Sequence, residues 1–203
     1  CFFGLSFQKL LRNAKYVYWI GDYFPGNGFK IKAFEKLKKH YHDRVDYSLY
    51  LSDTINKIFN GRVLNTKNRE TVMWGVNPIK IEKPLPKDEF NMLFVGLIKD
   101  SQGLETIFNF LKSHNQYKIN IVGICDAKLY KRYIKIIQKL NIGKQVYFPN
   151  KFFSDEDLEE ISKKCHVGVA LYNMDKSNPT FYTDPGKIKA YTQLQLPVVI
   201  SNT

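Results

Sequence analysis

The chain is poor in cysteine and arginine, and it has no long apolar run. Its three cysteines, Cys1, Cys125 and Cys165, are odd in number and far apart. No C-x-x-C pair occurs, so neither a disulfide framework nor a zinc ribbon is supported, and a reducing cytosol is the expected compartment. No uninterrupted apolar stretch approaches the ~18–20 residues of a membrane span. The start, CFFGLSFQKLLRNAK, has no basic region ahead of its apolar stretch and no initiator Met, so no cleavable signal is expected. The G-x-S-x-G, H-E-x-x-H and G-x-x-x-x-G-K-[ST] patterns are absent, which leaves serine-hydrolase, zincin and P-loop readings without support. The one Asn-x-Thr match, Asn178-Pro179-Thr180, carries the proline that disqualifies it as a glycan acceptor.

What is abundant is lysine. Among 203 residues, 31 Lys+Arg stand against 19 Asp+Glu, a formal charge of +12, and only five of the cations are arginine. Such a surface suits polyanions: nucleic acid, an anionic membrane face or phosphorylated small molecules. Base-edge readout leans on the arginine fork, so sequence-specific DNA binding is disfavoured. Spread over most predicted helices, the lysines also fit an ordinary solvated face. With 44% hydrophobic and 15% aromatic residues the chain can bury a core.

Strand-like and helix-like segments alternate throughout. Strands are expected at 15–20, 47–52, 70–76, 91–96, 117–123, 145–148, 167–171 and 197–201, with helices at 30–43, 53–59, 103–113, 127–140, 155–164 and 185–194. Ile31, Phe34, Leu37 and Tyr41 predict the buried face of the first helix. Tyr130, Tyr133, Ile134, Ile137 and Leu140 predict that of the longest one in the second half. The segment 78–90, with Pro78, Pro84 and Pro86, is aperiodic and reads as a linker. The expected architecture is α/β: two Rossmann-like lobes with parallel sheets, 1–77 and 91–203, the first incomplete. The two chain ends lead to the expectation of a piece of a longer protein.

Ligands of open α/β sheets bind outside the carboxyl ends of the strands. That rule selects the loops 96–103, 123–126, 149–154 and 172–184, and Ser201 onward. In Gly96-Leu97-Ile98-Lys99 through Gly103, two glycines and a helix start can expose N–H groups to an anion, with Lys99 adding charge; the alternative is a plain tight turn. In Asp184-Pro185-Gly186-Lys187, Asp184 can cap a helix, Pro185 suits its first turn, and Lys187 opposes the dipole unless an anion lies between them. A lysine directed at water is the competing reading. Ser154 with Asp157 reads as a helix cap rather than an acidic metal cluster. His40 and His42 face different ways on a helix, and Cys165-His166 lacks a third ligand, so no metal is expected.

Taken together, the strand ending FVG, the next ending IVG, and DPGKIKAYTQLQLPVVIS resemble the P-x-K-x-x-E-Y-x-A-x-G-x-P-V-I pattern of family 4-type glycosyltransferases with the GT-B fold. YVYWIGDYFP, HDRVDYSLYLSD and ETVMWGVNP resemble the end of that family's N-terminal lobe. The resemblance implies a nucleotide-sugar donor bound by the second lobe. It implies glycosyl transfer, usually retaining, to a glycan or lipid-linked acceptor in surface polysaccharide or glycolipid synthesis. No metal or other cofactor is implied, because cations and helix dipoles stabilise the leaving diphosphate. It places Gly96, Lys99, Gly123 and Lys187 at the diphosphate and nucleotide, Asn150, Lys151 and Phe152 near the base, and Tyr182 and Asp184 in the donor site. Asp22 borders the acceptor side. Peripheral contact with an anionic membrane from the cytoplasm is compatible, and nucleic acid is not expected.

The chain also departs from the family pattern. Leu97 and Gln102 stand where Arg and Lys are common. Tyr182 and Ala190 occupy the places of paired glutamates, and Gln195 replaces a usual glycine. Two alternatives therefore stay open: a non-catalytic GT-B partner or regulatory module, and a basic phosphate- or nucleic-acid-binding α/β protein.

Overall fold

The computed structural model describes residues 14–26, 28–42, 44–60, 68–77, 89–172, 175–176, 181–182 and 186–201, with the side chains of 39–41 and 60 left aside. Most of the expected linker, 78–88, lies outside them. The chain forms two compact units: Cys1–Trp74 with Met174–Asp184, and Gly75–Asn173 with Pro185–Thr203.

In the first unit, β1 (Val17–Ile20), β2 (Tyr47–Tyr50) and β3 (Arg69–Thr71) form a parallel sheet in the order β1-β2-β3, with α1 (Phe29–His42) and α2 (Asp53–Asn60) as its crossovers. The third strand is shorter than the expected 70–76. Ile20, Tyr50, Ile55 and Phe59 are the buried centre. The expected buried face of α1 is not the one the fold uses. Phe34 and Leu37 are exposed, whereas Lys38 and His42 are buried. A polar network explains the inversion. His42 Nε2 lies 2.6 Å from Tyr50 Oη, and Arg69 Nη1 lies 2.7 Å from His42 Nδ1 while donating to Ser48 Oγ at 2.7 Å. Lys38 is satisfied by Glu35 at 3.2 Å and stands over the Phe34 ring. Hydrogen bonding compensates the burial of these polar groups, which hydrophobic periodicity does not register.

The second unit is a five-stranded parallel sheet in the order β6-β5-β4-β7-β8. Its elements are β4 (Phe90–Val95), α3 (Leu104–Lys112), β5 (Tyr117–Val122), α4 (Ala127–Lys139), β6 (Val146–Tyr147), α5 (Asp155–Ser162), β7 (Val167–Ala170), α6 (Gly186–Gln193) and β8 (Val198–Ile200), with a 3₁₀ turn at Asp100–Gln102. Strands β4 and β5 match over six residue pairs from Phe90↔Tyr117 to Val95↔Val122. The β4–β7 register has only two, Met92↔Val167 and Leu93↔Gly168. One face of the sheet carries a core of Phe94, Phe108, Leu111, Ile121 and Tyr133, and the other carries Leu93, Cys165, Tyr191 and Leu194. The apolar face expected on α4 is the one packed, with Tyr133 and Ile137 buried and Tyr130, Ile134 and Leu140 half-buried beside them. Ser154 caps α5 by accepting from Asp157 N at 3.1 Å, as its spacing predicts.

Helix α6 ends in a left-handed residue. Gln195 has φ 52°, and Leu196 N–H reaches back to Tyr191 O at 2.9 Å. A Cβ is unfavourable there, which is the physical reason glycine suits this place in the pattern the chain resembles. Gln195→Gly is expected to raise stability by roughly 0.5–1 kcal/mol, after the entropy glycine gains on unfolding is subtracted. An upward shift of the urea midpoint with unchanged slope checks it.

Candidate functional site at the strand carboxyl ends

Chain order reverses between β4 and β7, the position where neighbouring loops part and leave a crevice above the sheet. Two glycines floor it. Gly96 follows β4 with φ +116°, and Gly123 follows β5 with φ +148°. A Cβ on Gly123 would stand 2.0 Å from the Gly96 carbonyl oxygen, so that contact excludes any side chain. Gly96 and Gly123, expected separately at the diphosphate and the nucleotide, thus meet backbone to backbone.

Lys187, second residue of α6, reaches this floor. Its Cε lies 3.6 Å from where a Gly96 Cβ would be. Its Nζ sits 3.5 Å from the centre of the buried Phe94 ring and donates to Gln102 Oε1 at 3.0 Å. Burial first and the like charge of Lys99 second together lower its pKa to about 7. Lys99 itself is exposed on the rim, and its N–H donates to Gln102 Oε1 at 3.1 Å. Among the described residues no carboxylate pairs with Lys187. The nearby acids Asp100 and Glu105 are both held by Arg132.

Beside the glycines, a pocket of about 170 Å³ is lined by Leu97, Ile124, Phe152, Phe153 and Leu158. The Phe152 ring is 81% exposed. Lys151 reaches the glycine floor by a bridge between its backbone and Gly123. Asn150, left-handed at φ 49°, directs its Oδ1 to accept from Cys125 N at 2.9 Å. Its side-chain oxygen therefore latches the loop. A second, apolar cavity of about 340 Å³, lined by Met92, Ile107, Val167, Val169 and Val199 among others, lies against the sheet face and carries no reactive group.

The structure brings together Gly96, Lys99, Gly123, Lys151, Phe152 and Lys187 from the expected set. Tyr182 is also in the expected set. It belongs to the first unit, where its carbonyl accepts from Ser52 Oγ at 2.6 Å and its ring packs on Tyr23 at 4.8 Å. Asp184 lies outside the described residues. Asp22 is exposed in the loop after β1 of the first unit. Among the described residues, no cluster of three or more His, Cys, Asp or Glu is placed to hold a metal ion, and no helix is long and apolar enough to cross a membrane.

Sequence reasoning passes over two residues. Gln102, 6% exposed, orients both Lys99 and Lys187. Tyr191, fully buried, accepts from Val95 N at 3.1 Å and donates to Val169 O at 2.9 Å, fastening α6 to both strands at the reversal. Gly168 makes room for it, since a Cβ there would stand 2.3 Å from the Tyr191 ring. The cues to Tyr191 in the sequence are the tyrosine of the resembled pattern and the i, i+4 spacing from Lys187 on one helix face.

No protein-family model matches the chain, and no curated protein matches it. Solved structures do. HepE from Anabaena in complex with UDP is 14% identical with a TM-score of 0.71 over 98% of this chain and 56% of its own. Sucrose-phosphate synthase from Thermosynechococcus elongatus is 17% identical with a TM-score of 0.68, covering 98% of this chain and 54% of that one. A TarM variant from S. aureus in complex with fondaparinux, alpha-GlcNAc-glycerol and UDP is 16% identical with a TM-score of 0.62, covering 96% and 39%. The chain spans from about two-fifths to just over half of the length of these proteins. They are GT-B glycosyltransferases, and the chain has their fold: α/β, with Rossmann-like parallel sheets.

Two predictions follow from the geometry at β4 and β7. Tyr191→Phe leaves Val95 N–H and Val169 C=O without their partner in the core, and is expected to cost about 1–3 kcal/mol in urea denaturation. Lys187 carries a lowered pKa in the native state and one near 10.4 when unfolded. Between pH 7 and about 10 the unfolded chain therefore binds the extra proton, and stability rises with pH. Lys187→Met should accordingly gain stability relative to wild type as pH falls from 10 to 7 and hold a constant difference below that, which paired denaturation curves measure.

Proposed function

We propose that the second unit binds the diphosphate of a nucleotide-sugar donor and that the protein to which it belongs transfers the sugar to an acceptor. The observation that carries this reading is the meeting of Gly96, Gly123 and Lys187 at the strand-order reversal of a GT-B fold. The glycine floor lets a phosphate approach the backbone closely. Lys187 then supplies the charge that stabilises a leaving nucleoside diphosphate, a task for a preorganised cation in a partly dry site. With Lys187 and backbone dipoles in that role, the reaction needs no metal at the diphosphate. The exposed Phe152 and the pocket beside it offer a stacking surface for a base.

The finer reading is a hexosyl transfer with retention to a glycan or lipid-linked acceptor, in surface polysaccharide or glycolipid synthesis at the cytoplasmic side of a membrane. It rests on the sequence resemblance. The exposed Lys128, Lys131, Lys135 and Lys139 of α4 add a basic helical stripe suited to peripheral contact with an anionic surface. A degenerate, non-catalytic partner has its own supporting observation. Ala190 offers no polar atom for ribose hydroxyls, and Leu97, 57% exposed, offers no charge.

Thermal unfolding with UDP, GDP and CDP tests donor binding. At least one is expected to raise the midpoint by several degrees at millimolar concentration, and Lys187→Ala should abolish the rise. Because the substitution removes a cation shielded from water without a counter-charge, the unliganded midpoint should stay level or increase, so a lost response reports binding rather than damage. No rise with any of the three would defeat the donor-site reading. Binding to all three without turnover of any nucleotide sugar would favour the non-catalytic partner.

A further inference from the structure

Gln102 is an unusual neighbour for a half-buried cation. Its amide oxygen takes two donors, Lys99 N–H at 3.1 Å and Lys187 Nζ at 3.0 Å, and both being donors fixes which end of the amide faces them. The groups facing Lys187 are otherwise the Phe94 ring from β4, the Gly96 backbone and, from the loop after β4, the like charge of Lys99. Tyr191, one turn along α6, has its hydroxyl occupied by the backbone of β4 and β7. Asp100 on the 3₁₀ turn and Glu105 on α3 are committed to Arg132. Asp184, ahead of α6, lies outside the described residues.

We propose that Gln102 is a positioning residue that holds Lys187 in place without neutralising it, so that Lys187 takes up one proton from solvent as the site binds a diphosphate. The inference rests on the nucleotide-binding reading above. The balance is simple: the amine lone pair accepts a solvent proton, the ammonium stays on Lys187 in the complex, and no other bond changes. Geometry explains why glutamine fits this task. A carboxylate at position 102 would keep Lys187 charged but would compete with the incoming phosphate. A lysine there would set a second ammonium about 3 Å from the first and drive one of them neutral. The amide supplies direction with no net charge. The diphosphate then becomes the counter-ion the empty site lacks, and by linkage its binding raises the proton affinity of Lys187. With the free group titrating near 7, the amine dominates above neutrality.

Calorimetric titration of UDP in buffer pairs of different ionisation enthalpy, from pH 7.5 to 9, tests this. Phosphate groups of this kind have their last pKa near 6, so by pH 8.5 UDP is fully ionised and contributes essentially no proton of its own. The expected uptake approaches one proton per UDP at pH 8.5, with affinity falling close to tenfold per pH unit. Lys187→Arg, which keeps a fixed charge, should bind UDP with no uptake and a flat profile. Gln102→Glu should also abolish uptake, because its carboxylate holds Lys187 protonated beforehand. Gln102→Leu, which frees the lysine without adding charge, should keep the uptake and weaken binding tenfold or more at every pH. UDP binding by the wild type without uptake at pH 8.5, or undiminished uptake in Lys187→Arg, overturns the proposal and leaves nucleotide binding standing. Absence of UDP binding at every pH overturns the nucleotide reading and the proposal with it.

Discussion

The hydroxyl of Tyr191 closes a gap that parallel pairing leaves open at the strand-order reversal. β4 and β7 pair only at Met92↔Val167 and Leu93↔Gly168, then part. Beyond that point Gly96 N–H still finds Val122 O of β5 at 3.0 Å, but Val95 N–H and Val169 C=O face one another's strand with no ladder partner. A buried backbone group left so costs as much as a lost hydrogen bond. One phenol oxygen accepts from the first and donates to the second. Its ring can come this close only because Gly168 carries no side chain. The bond satisfies two orphans and fixes the opening between the strands, and it holds α6 at the height from which Lys187 reaches Gly96.

Charge in this chain is plentiful, but most of it is solvated or paired. Arg132 bridges Asp100 and Glu105, Lys163 lies against Glu159 and Glu160, and Lys118 reaches Glu89. Pairs of that kind at a surface contribute little and hold no affinity in reserve. Lys187 differs in that its neighbours are an aromatic face, an amide oxygen and a glycine backbone. Burial without a counter-charge makes the ammonium costly in the empty site, and for the same reason makes an anion there worth more than the same contact in water. The net charge of +12 therefore says less about ligand preference than this one residue does.

The second unit was legible where local signals agree. The apolar period of α4, the capping serine of α5 and the glycine after each of β4 and β5 all follow from neighbours within a few residues, and from the rule that ligands meet the carboxyl ends of strands. Gln102 and Tyr191 were not legible, because their partners lie 85 and 96 residues away and both look like ordinary helix or turn residues. The first unit misled for the opposite reason. Phe34 and Leu37 have the right spacing for a buried face, but the helix turns Lys38 and His42 inward, since Tyr50, Ser48 and Arg69 offer them hydrogen bonds. Tyr182, which the resemblance places in the donor site, falls in the first unit, where its carbonyl accepts from Ser52 Oγ.

The departures at positions 97, 102 and 190 form a consistent set once the geometry around Lys187 is considered. In the resembled pattern, two further cations flank the diphosphate and a carboxylate holds the ribose. Here Leu97 and Gln102 remove the cations and Ala190 removes the carboxylate, so the site loses charge of both signs. A lysine at 102 would have stood against Lys187 with nothing to offset it. A neutral amide leaves Lys187 as the ammonium beside the glycines, with Lys99 exposed on the rim. The cost falls on selectivity. Among the described residues the pocket beside the glycines is walled by Leu97, Ile124, Phe152, Phe153 and Leu158, apolar side chains that suit stacking better than base-specific hydrogen bonding. Stacking accepts any base, because each presents a π-face. On the proposed function, the backbone around Asn150, held by the bond from Cys125 N to Asn150 Oδ1, is one element that can read the base.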